Sequence, residues 1–293
     1  MRGERVPHPL PLYKTRMNGK GEGMVATENA VQIEHLSWSK LQTYLNCSRK
    51  FYYQYINKAP AEKKSASLIL GSAVHTAIES IHEARIAGES LPSMVSIMNA
   101  FDAAWQEECQ TGIKLHFSQD ENADSLRHLG EKMLFAYLDY QSNNNSRSEV
   151  LGIEHESLFN LVSGLPLMKA RMDLLEVQGR TLIITDFKTS KCSYSEQRVL
   201  DGILQVVVYA LAVRGIIREL GITKVVPRLV VLTKGKKPKI QVLEPQVTQD
   251  DVARLNRMTL EIWDGIQKEH WMRQQSWMCQ SCPFQQRCRS DCE

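Results

Sequence analysis

From residue 36 to about residue 140, apolar positions recur at the three-and-four spacing of helices; from about 150 they alternate or run together as in strands. The first stretch, LSWSKLQTYLNCSRKFYYQYI, puts Leu41, Tyr44, Leu45, Phe51 and Tyr55 at helical spacing, with Ser37 or Ser39 to cap it. A second helix is predicted through SASLILGSAVHTAIESIHEARIAG, stopping near Gly88. Two more follow over Met94–Cys109 and 123–140, and NNNS at 143–146 breaks the pattern. VLGIEHESLFNLV and PLMKARMDLLEV then read as strands joined at 163–164, and RTLIITDFK as a third after a turn at 178–179. A helix, VLDGILQVVVYALAVRGI, leads to two strands, PRLVVLT and KIQVLE, separated by the basic turn KGKKP. A last helix spans 250 to about 270. Residues 1–34 are rich in Pro, Gly, Lys and Arg without a period and read as a flexible tail. The pattern predicts a mixed α/β domain over 35–293: mainly helical over 35–145, a sheet over 146–245, and a closing helix with a Cys-rich tail over 246–293.

Composition narrows the class. The 293 residues are 43% apolar and 24% charged, enough for a sizeable core in one large domain or a domain with a cap. A net charge of +3 favours a polyanionic partner only weakly. No apolar run approaches the roughly 18–20 residues of a membrane span. The N-terminus has no apolar signal core, so a cytoplasmic location is expected. Seven cysteines in such a chain point to reduced thiols for metal or redox chemistry rather than disulfides.

Cys279, Cys282 and Cys288 form a C-x2-C-x5-C group, whose spacing lets thiolates fold round one metal centre. A fourth ligand could come from Cys292, nearest in sequence, or from Cys47 in YLNCSRKFYY, and spacing leaves zinc and iron–sulfur both open. Cys109 and Cys192 read as ordinary thiols. On RTLIITDFKTSK, Asp186 and Lys188 share a strand face about 7 Å apart, suited to a hard cation beside an activated water. Asp173, on the preceding strand, converges on Asp186 if the two strands form a hairpin. His75 and Glu79 share a helix face, as do Gln205 and Tyr209 on a mostly apolar helix. Taken singly, Asp186 and Lys188 read as a solvated strand end with an ion pair and His75 and Glu79 as a surface helix face, while Gln205 and Tyr209 read equally as satisfied core groups.

Their order changes this. S-W-S-K-L-Q-T-Y-L-N-C-S-R-K-F, G-S-A-V-H-T-A-I-E, a strand Asp, D-F-K-T-S-K, Q-V-V-V-Y and C-x2-C-x5-C follow one another over about residues 35–290. In this the chain resembles the RecB-family branch of the PD-(D/E)XK nucleases. It is most similar to the iron–sulfur exonucleases typified by the AddB nuclease domain and the CRISPR-associated RecB-like exonucleases. Each motif is weak alone, and six in order are hard to produce by accident.

The resemblance implies a restriction-endonuclease-like core, a mixed central sheet flanked by helices, behind an N-terminal helical portion. It implies that His75, Asp173, Asp186 and the Phe187 carbonyl hold Mg2+ or Mn2+. Lys188 would orient or deprotonate the attacking water and stabilise phosphate charge, and Gln205 and Tyr209 would support the site and the DNA strand. It implies a 4Fe-4S cluster on Cys47, Cys279, Cys282 and Cys288, with Glu79 at an acidic position of less defined role. The activity implied is DNA hydrolysis, as an exonuclease on single strands or ends, in repair, recombination or phage- or CRISPR-type processing. A bacterial or phage-type chain acting at the nucleoid fits that reading. The chain has no Walker A sequence, so any helicase motor would be a partner, as a recombination protein could be.

Two positions depart from the family pattern: Ser48 stands where Pro is frequent, and Gly164 lies nine residues before Asp173 rather than close to it. Two other classes keep the same residues: a DNA-binding or recombination-partner protein with a silent site, and a zinc-stabilised interaction module. Arg49 to Tyr53 could guide single-stranded DNA or form core aromatics with basic groups outside. KGKKPK at 234–239 reads as a solvated hairpin tip or a phosphate contact.

Overall fold

The computed structural model describes residues 31–110, 112–119, 121–144 and 148–291. Most of the N-terminal tail, and Cys292, therefore lie outside the described residues. Within the stretch read as tail, Val31 and Ile33 pack against the core, and the Gln267 amide donates to the Val31 carbonyl at 2.9 Å.

The helical half opens with β1 (Leu36–Ser37) and α1 (Trp38–Asn46), where the Ser37 hydroxyl accepts the Lys40 N–H at 3.3 Å. The single helix predicted through residue 56 breaks at Cys47. That residue is extended (φ −168°, ψ 106°), and its sulfur caps a fresh turn, α2 (Ser48–Phe51), by accepting the Lys50 N–H at 3.4 Å. A side chain that satisfies backbone donors in this way competes with helix continuation. The chain then widens into a π turn at Tyr52–Ile56. Two short strands that the pattern did not reveal, β2 (Lys63–Ser65) and β3 (Lys114–His116), pair in parallel. Between them run α3 (Ala66–Ile86) and α4 (Met94–Cys109), and α5 (Ala123–Asn143) follows behind an Asn122–Ser125 capping box.

Next comes the antiparallel meander β4 (Glu149–Phe159), β5 (Met168–Gln178) and β6 (Thr181–Ser190). Gln178 pairs with Thr181, so the β5–β6 turn is residues 179–180, one step later than predicted, with Gly179 at φ 61°. The helix predicted over 199–216 is three pieces: α6 (Glu196–Asp201), α7 (Ile203–Ala212) and α8 (Arg214–Glu219). Gly202 and Val213, with ψ near zero, are the joints. β7 (Lys224–Thr233) lies parallel to β6, β8 (Ile240–Leu243) returns antiparallel, and α9 (Gln249–Gln267) is capped by Thr248. The Cys-rich end forms a 3-10 turn (Trp277–Ser281) and α10 (Gln285–Ser290).

The result is a mixed sheet between two helical layers, as the pattern and resemblance implied. Leu70, Val74, Phe101 and Leu134 of α3, α4 and α5 pack on one face against Phe187, Val230 and Leu232. Leu41, Val207, Leu255 and Ile262 of α1, α7 and α9 pack on the other against Met172, Leu182, Ile184 and Leu229. No helix among the described residues is long and apolar enough to cross a membrane.

Candidate active site

Strand β5 has three partners, and the site lies where they change. Its ladder with β6 ends at Leu174 and Thr185, one step short of Asp173 and Asp186. Further along, β1 pairs with β5 at Met168 and Lys169. Between these contacts β6 parts from β5, and both aspartates sit at the fork. The Phe187 N–H donates to the Asp173 carboxylate at 2.7 Å rather than to a strand carbonyl.

Asp186 is 2% exposed, directly after the apolar Leu182, Ile183 and Ile184 and the buried Thr185. One oxygen, Oδ1, accepts from the Tyr209 hydroxyl at 2.8 Å, from Lys188 at 3.1 Å and from the Gln205 amide at 3.3 Å. Gln205 also donates to the Tyr209 oxygen at 2.7 Å. These two side chains lie one turn apart on α7, so a single helix face delivers both. The second oxygen, Oδ2, is buried without a directed hydrogen bond, although the Lys188 Nζ lies 2.8 Å away as an ion pair. With one ion-pair partner and no directed hydrogen bond, that oxygen keeps a lone pair that a second cation could take.

His75, on α3, brings Nδ1 to 3.5 Å from Asp173 Oδ2, and its ring faces the Phe187 carbonyl. Burial pushes the imidazole pKa down to about 4 against the pull of Asp186, so the ring is neutral near pH 7 with a lone pair to offer. Burial, then repulsion from Asp186, holds the Asp173 carboxyl well above the usual range despite the Phe187 N–H. For Lys188, burial favours the neutral amine, but Asp186 and then Asp173 overcome it, and the ammonium is stabilised. Burial and the neighbouring aspartates likewise keep Tyr209 a phenol.

One residue escaped the sequence reading. Glu154 of β4 is bracketed by the pairs Ile153–Leu174 and His155–Met172, which sets it across from Asp173. His75, Glu154 and Asp173 each place a ligand atom within 4.8 Å of the other two. Like charges directly across a ladder are unfavourable unless something positive joins them. Glu154 has φ 48°, a left-handed backbone unusual for glutamate, and its carboxylate is 2.7 Å from Arg171 Nε. Glu79 hydrogen-bonds it, and burial followed by Glu154's charge pushes the Glu79 pKa up to about 7. The E-H-E alternation on β4 was visible in the sequence, but only the strand register picks out Glu154. The clustered donors of His75, Glu154 and Asp173, two oxygens and a nitrogen, are a set a hard divalent ion can take, so the residues present fit one.

The cysteines gather at the C-terminal end of α1, which Cys47 caps. The Arg49 N–H donates to the Met272 carbonyl at 3.0 Å, and the Met272 N–H to the Ser48 hydroxyl at 2.7 Å. Glu62 accepts the N–H groups of Gln286 and Arg287, each at 2.9 Å. The tail is thereby docked onto residues 48–62, and Cys282 and Cys288 come within electrostatic reach of both Cys47 and Cys279. Burial raises the Cys282 thiol pKa against Lys50, and that of Cys288 against Arg273 and Arg49. Arg49 Nε and Arg273 Nη2 are buried without acceptors. Four thiols beside orphaned cationic donors fit a negatively charged thiolate centre. Cys109 and Cys192 stand apart, at the end of α4 and exposed beyond β6. Phe51 and Tyr53 are buried, which answers the aromatic question for those two in favour of core, while Tyr52 is partly exposed. Lys234 of the basic turn is engaged with Ser67, at 2.7 Å to its hydroxyl.

A family model described as the PD-(D/E)XK nuclease superfamily matches residues 35–289. The crystal structure of a candidate exonuclease from Eubacterium rectale superposes with a TM-score of 0.53 at 15% identity, covering 89% of this chain and 93% of that one. At that identity the likeness shows the fold alone. A second structure, SSO0001, reaches only a TM-score of 0.32 at 13% identity over 84% of this chain and 92% of its own, too loose to argue from. No curated protein sequence matches.

Proposed function

Because the chain belongs to the PD-(D/E)XK nuclease superfamily, we propose that it is a metal-dependent deoxyribonuclease of the RecB-like, iron–sulfur-bearing branch, acting as an exonuclease on single strands or DNA ends. The observation that carries the reading is the fork between β5 and β6, which sets Asp173 and Asp186 side by side with one Asp186 oxygen lacking a directed hydrogen bond.

Asp173, Asp186, His75 and the Phe187 carbonyl would hold Mg2+ or Mn2+, with Glu154 as a further ligand. The ion supplies a polarised phosphoryl oxygen and a more acidic bound water. Neutral His75 offers nitrogen, which softens the donor set, so Mn2+ is expected to work at least as well as Mg2+. Gln205 and Tyr209 fix the orientation of Asp186 through its Oδ1. Lys188 is held charged by its two carboxylate neighbours, which favours a role in stabilising phosphate charge over one as base.

Cys47, Cys279, Cys282 and Cys288 would carry a 4Fe-4S cluster that clamps the α1–α2 junction to the tail. Residues 35–293 would fold as one unit, supported by the span of the family match and by the tail's bonds to Glu62. Helicase or recombination partners, a nucleoid-associated location and a role in repair or phage- or CRISPR-type processing follow from the resemblance.

The test is cleavage of end-labelled single- and double-stranded DNA, and of RNA, with Mg2+ and Mn2+, using Lys188→Ala as control. Loss of activity by a factor on the order of 10²–10³ is expected in the variant. No cleavage by the wild type with either ion, together with intact DNA binding, would mean a silent binding protein instead.

A further inference from the structure

Two cationic nitrogens beside the cysteine set are shut off from solvent without an acceptor. They are Nε of Arg49 and Nη2 of Arg273. Native interiors seldom keep such donors unpaired, so each asks for a missing partner. Both arginines flank one stitch between the two ends of the chain, where the Arg49 N–H meets the Met272 carbonyl and the Met272 N–H meets Ser48. Cys47 lies two residues before Arg49, its sulfur 4.0 Å from the same Met272 carbonyl. The Tyr53 ring, 5.9 Å from the Arg49 guanidinium, steadies that group but gives it no lone pair. The nearby Asp291 carboxylate accepts from the Tyr53 hydroxyl through Oδ2 and reaches neither arginine nitrogen. Both guanidinium groups act electrostatically on Cys288 and draw it toward thiolate against its burial. The two nitrogens are enclosed, so a nucleic-acid phosphate cannot reach them unless the segment opens. An enclosed acceptor would satisfy both, and the loaded cysteine centre is an anion placed to do so.

We propose that Arg49 and Arg273 are the buried counter-charges of the iron–sulfur centre, their unpaired N–H groups meeting its sulfurs and their charge holding its reduction potential up. The inference rests on the iron–sulfur reading of the cysteine set. Reduction adds one electron to a centre already negative and makes or breaks no bond. Cations and N–H donors beside the sulfurs favour the reduced form, and more so in a low-dielectric interior. The arginines therefore tune the centre and take no part in phosphodiester cleavage.

The experiment uses the full chain, purified without oxygen, as wild type, Arg49→Gln, Arg273→Gln and the corresponding Lys variants. Iron, sulfide and zinc are assayed first. Midpoint potentials are then read by electron paramagnetic resonance, with dithionite as the electron source. A lower potential in each Gln variant at unchanged iron content is expected, with the Lys variants closer to wild type. Should the Gln variants lose iron while the Lys variants keep it, charge compensation is still supported. Equal potentials in all five proteins would overturn the proposal, as would loss of iron from the Lys and Gln variants alike. Zinc in place of iron in the wild type refutes the cluster reading itself, and this inference with it.

Discussion

Replacing Glu154 by glycine is expected to give a more stable metal-free protein than replacing it by alanine, the reverse of the usual order in a strand. Glu154 holds φ 48° inside β4. For a residue with a Cβ, that backbone costs roughly 1–2 kcal/mol, which alanine retains and glycine removes. Glycine gives back roughly 0.5–1 kcal/mol through the greater freedom of its unfolded chain. Both variants lose the ion pair with Arg171, whose side chain is 65% exposed, so that loss is small and cancels in the comparison. Both also lose the hydrogen bond with Glu79. The remaining difference is about 0.5–1 kcal/mol in favour of glycine, or roughly 1–4 °C in melting temperature for a chain of this size. Thermal and urea denaturation in a chelating buffer would measure it. The second arm adds Mn2+. If Glu154 is a ligand, tenfold weaker binding in either variant removes about 1.4 kcal/mol of metal-dependent stabilisation. Alanine equal to or better than glycine would refute the strain argument. Unchanged Mn2+ stabilisation would refute the ligand assignment.

Four further outcomes follow from other parts of the molecule. His82 is 1% exposed beside Tyr137 and Arg85, and burial followed by the Arg85 charge pushes its pKa down to about 3. Between about pH 6.5 and pH 3 the unfolded chain therefore binds a proton that the folded one refuses. Stability should fall with pH across that window by up to about 1.4 kcal/mol per unit, and His82→Gln should flatten the slope of denaturation midpoint against pH. A Cβ at Gly130 would stand 2.6 Å from the ring of fully buried Phe101. Gly130→Ala should thus destabilise by roughly 1–3 kcal/mol in urea unfolding, and an unchanged midpoint would mean that α4 and α5 separate freely. Tyr209→Phe removes a donor from the buried Asp186 oxygen. It should lower kcat more than it raises KM in steady-state cleavage, and an effect on KM alone would assign Tyr209 to DNA contact. Cys279→Ser should abolish broad absorption near ~400 nm and leave the tail open to proteolysis; a protected tail would show that docking through Glu62 suffices.

Much of the architecture was legible because it depends on local period. Met94–Cys109 is an uninterrupted amphipathic run, and the structure begins and ends it at the predicted residues. The β5–β6 hairpin followed from alternation and a glycine turn. The misreadings fall where a side chain or a joint acts against the period. Cys47 keeps the apolar spacing of a helix while its sulfur caps a new turn. Gly202 and Val213 divide a run whose apolar pattern never lapses. β2 and β3 are three residues each, too short for alternation to register.

For the site, sequence supplied the chemistry and its order: His75, then Asp173, then Asp186 and Lys188, then Gln205 and Tyr209, then the terminal cysteines. A two-residue strand period puts Asp186 and Lys188 on one face, and a four-residue helix period does the same for Gln205 and Tyr209. Distance along the chain says nothing about which strands diverge. That β6 leaves β5 at Asp173, that Glu154 lies across from it with a reversed φ, and that Cys47 meets the tail more than two hundred residues away were decided by tertiary packing. Local periodicity is set by bonds between near neighbours and is written in the sequence. The fork and the cysteine gathering arise from competition among distant surfaces for the same edge and the same core, and only the folded chain resolves it.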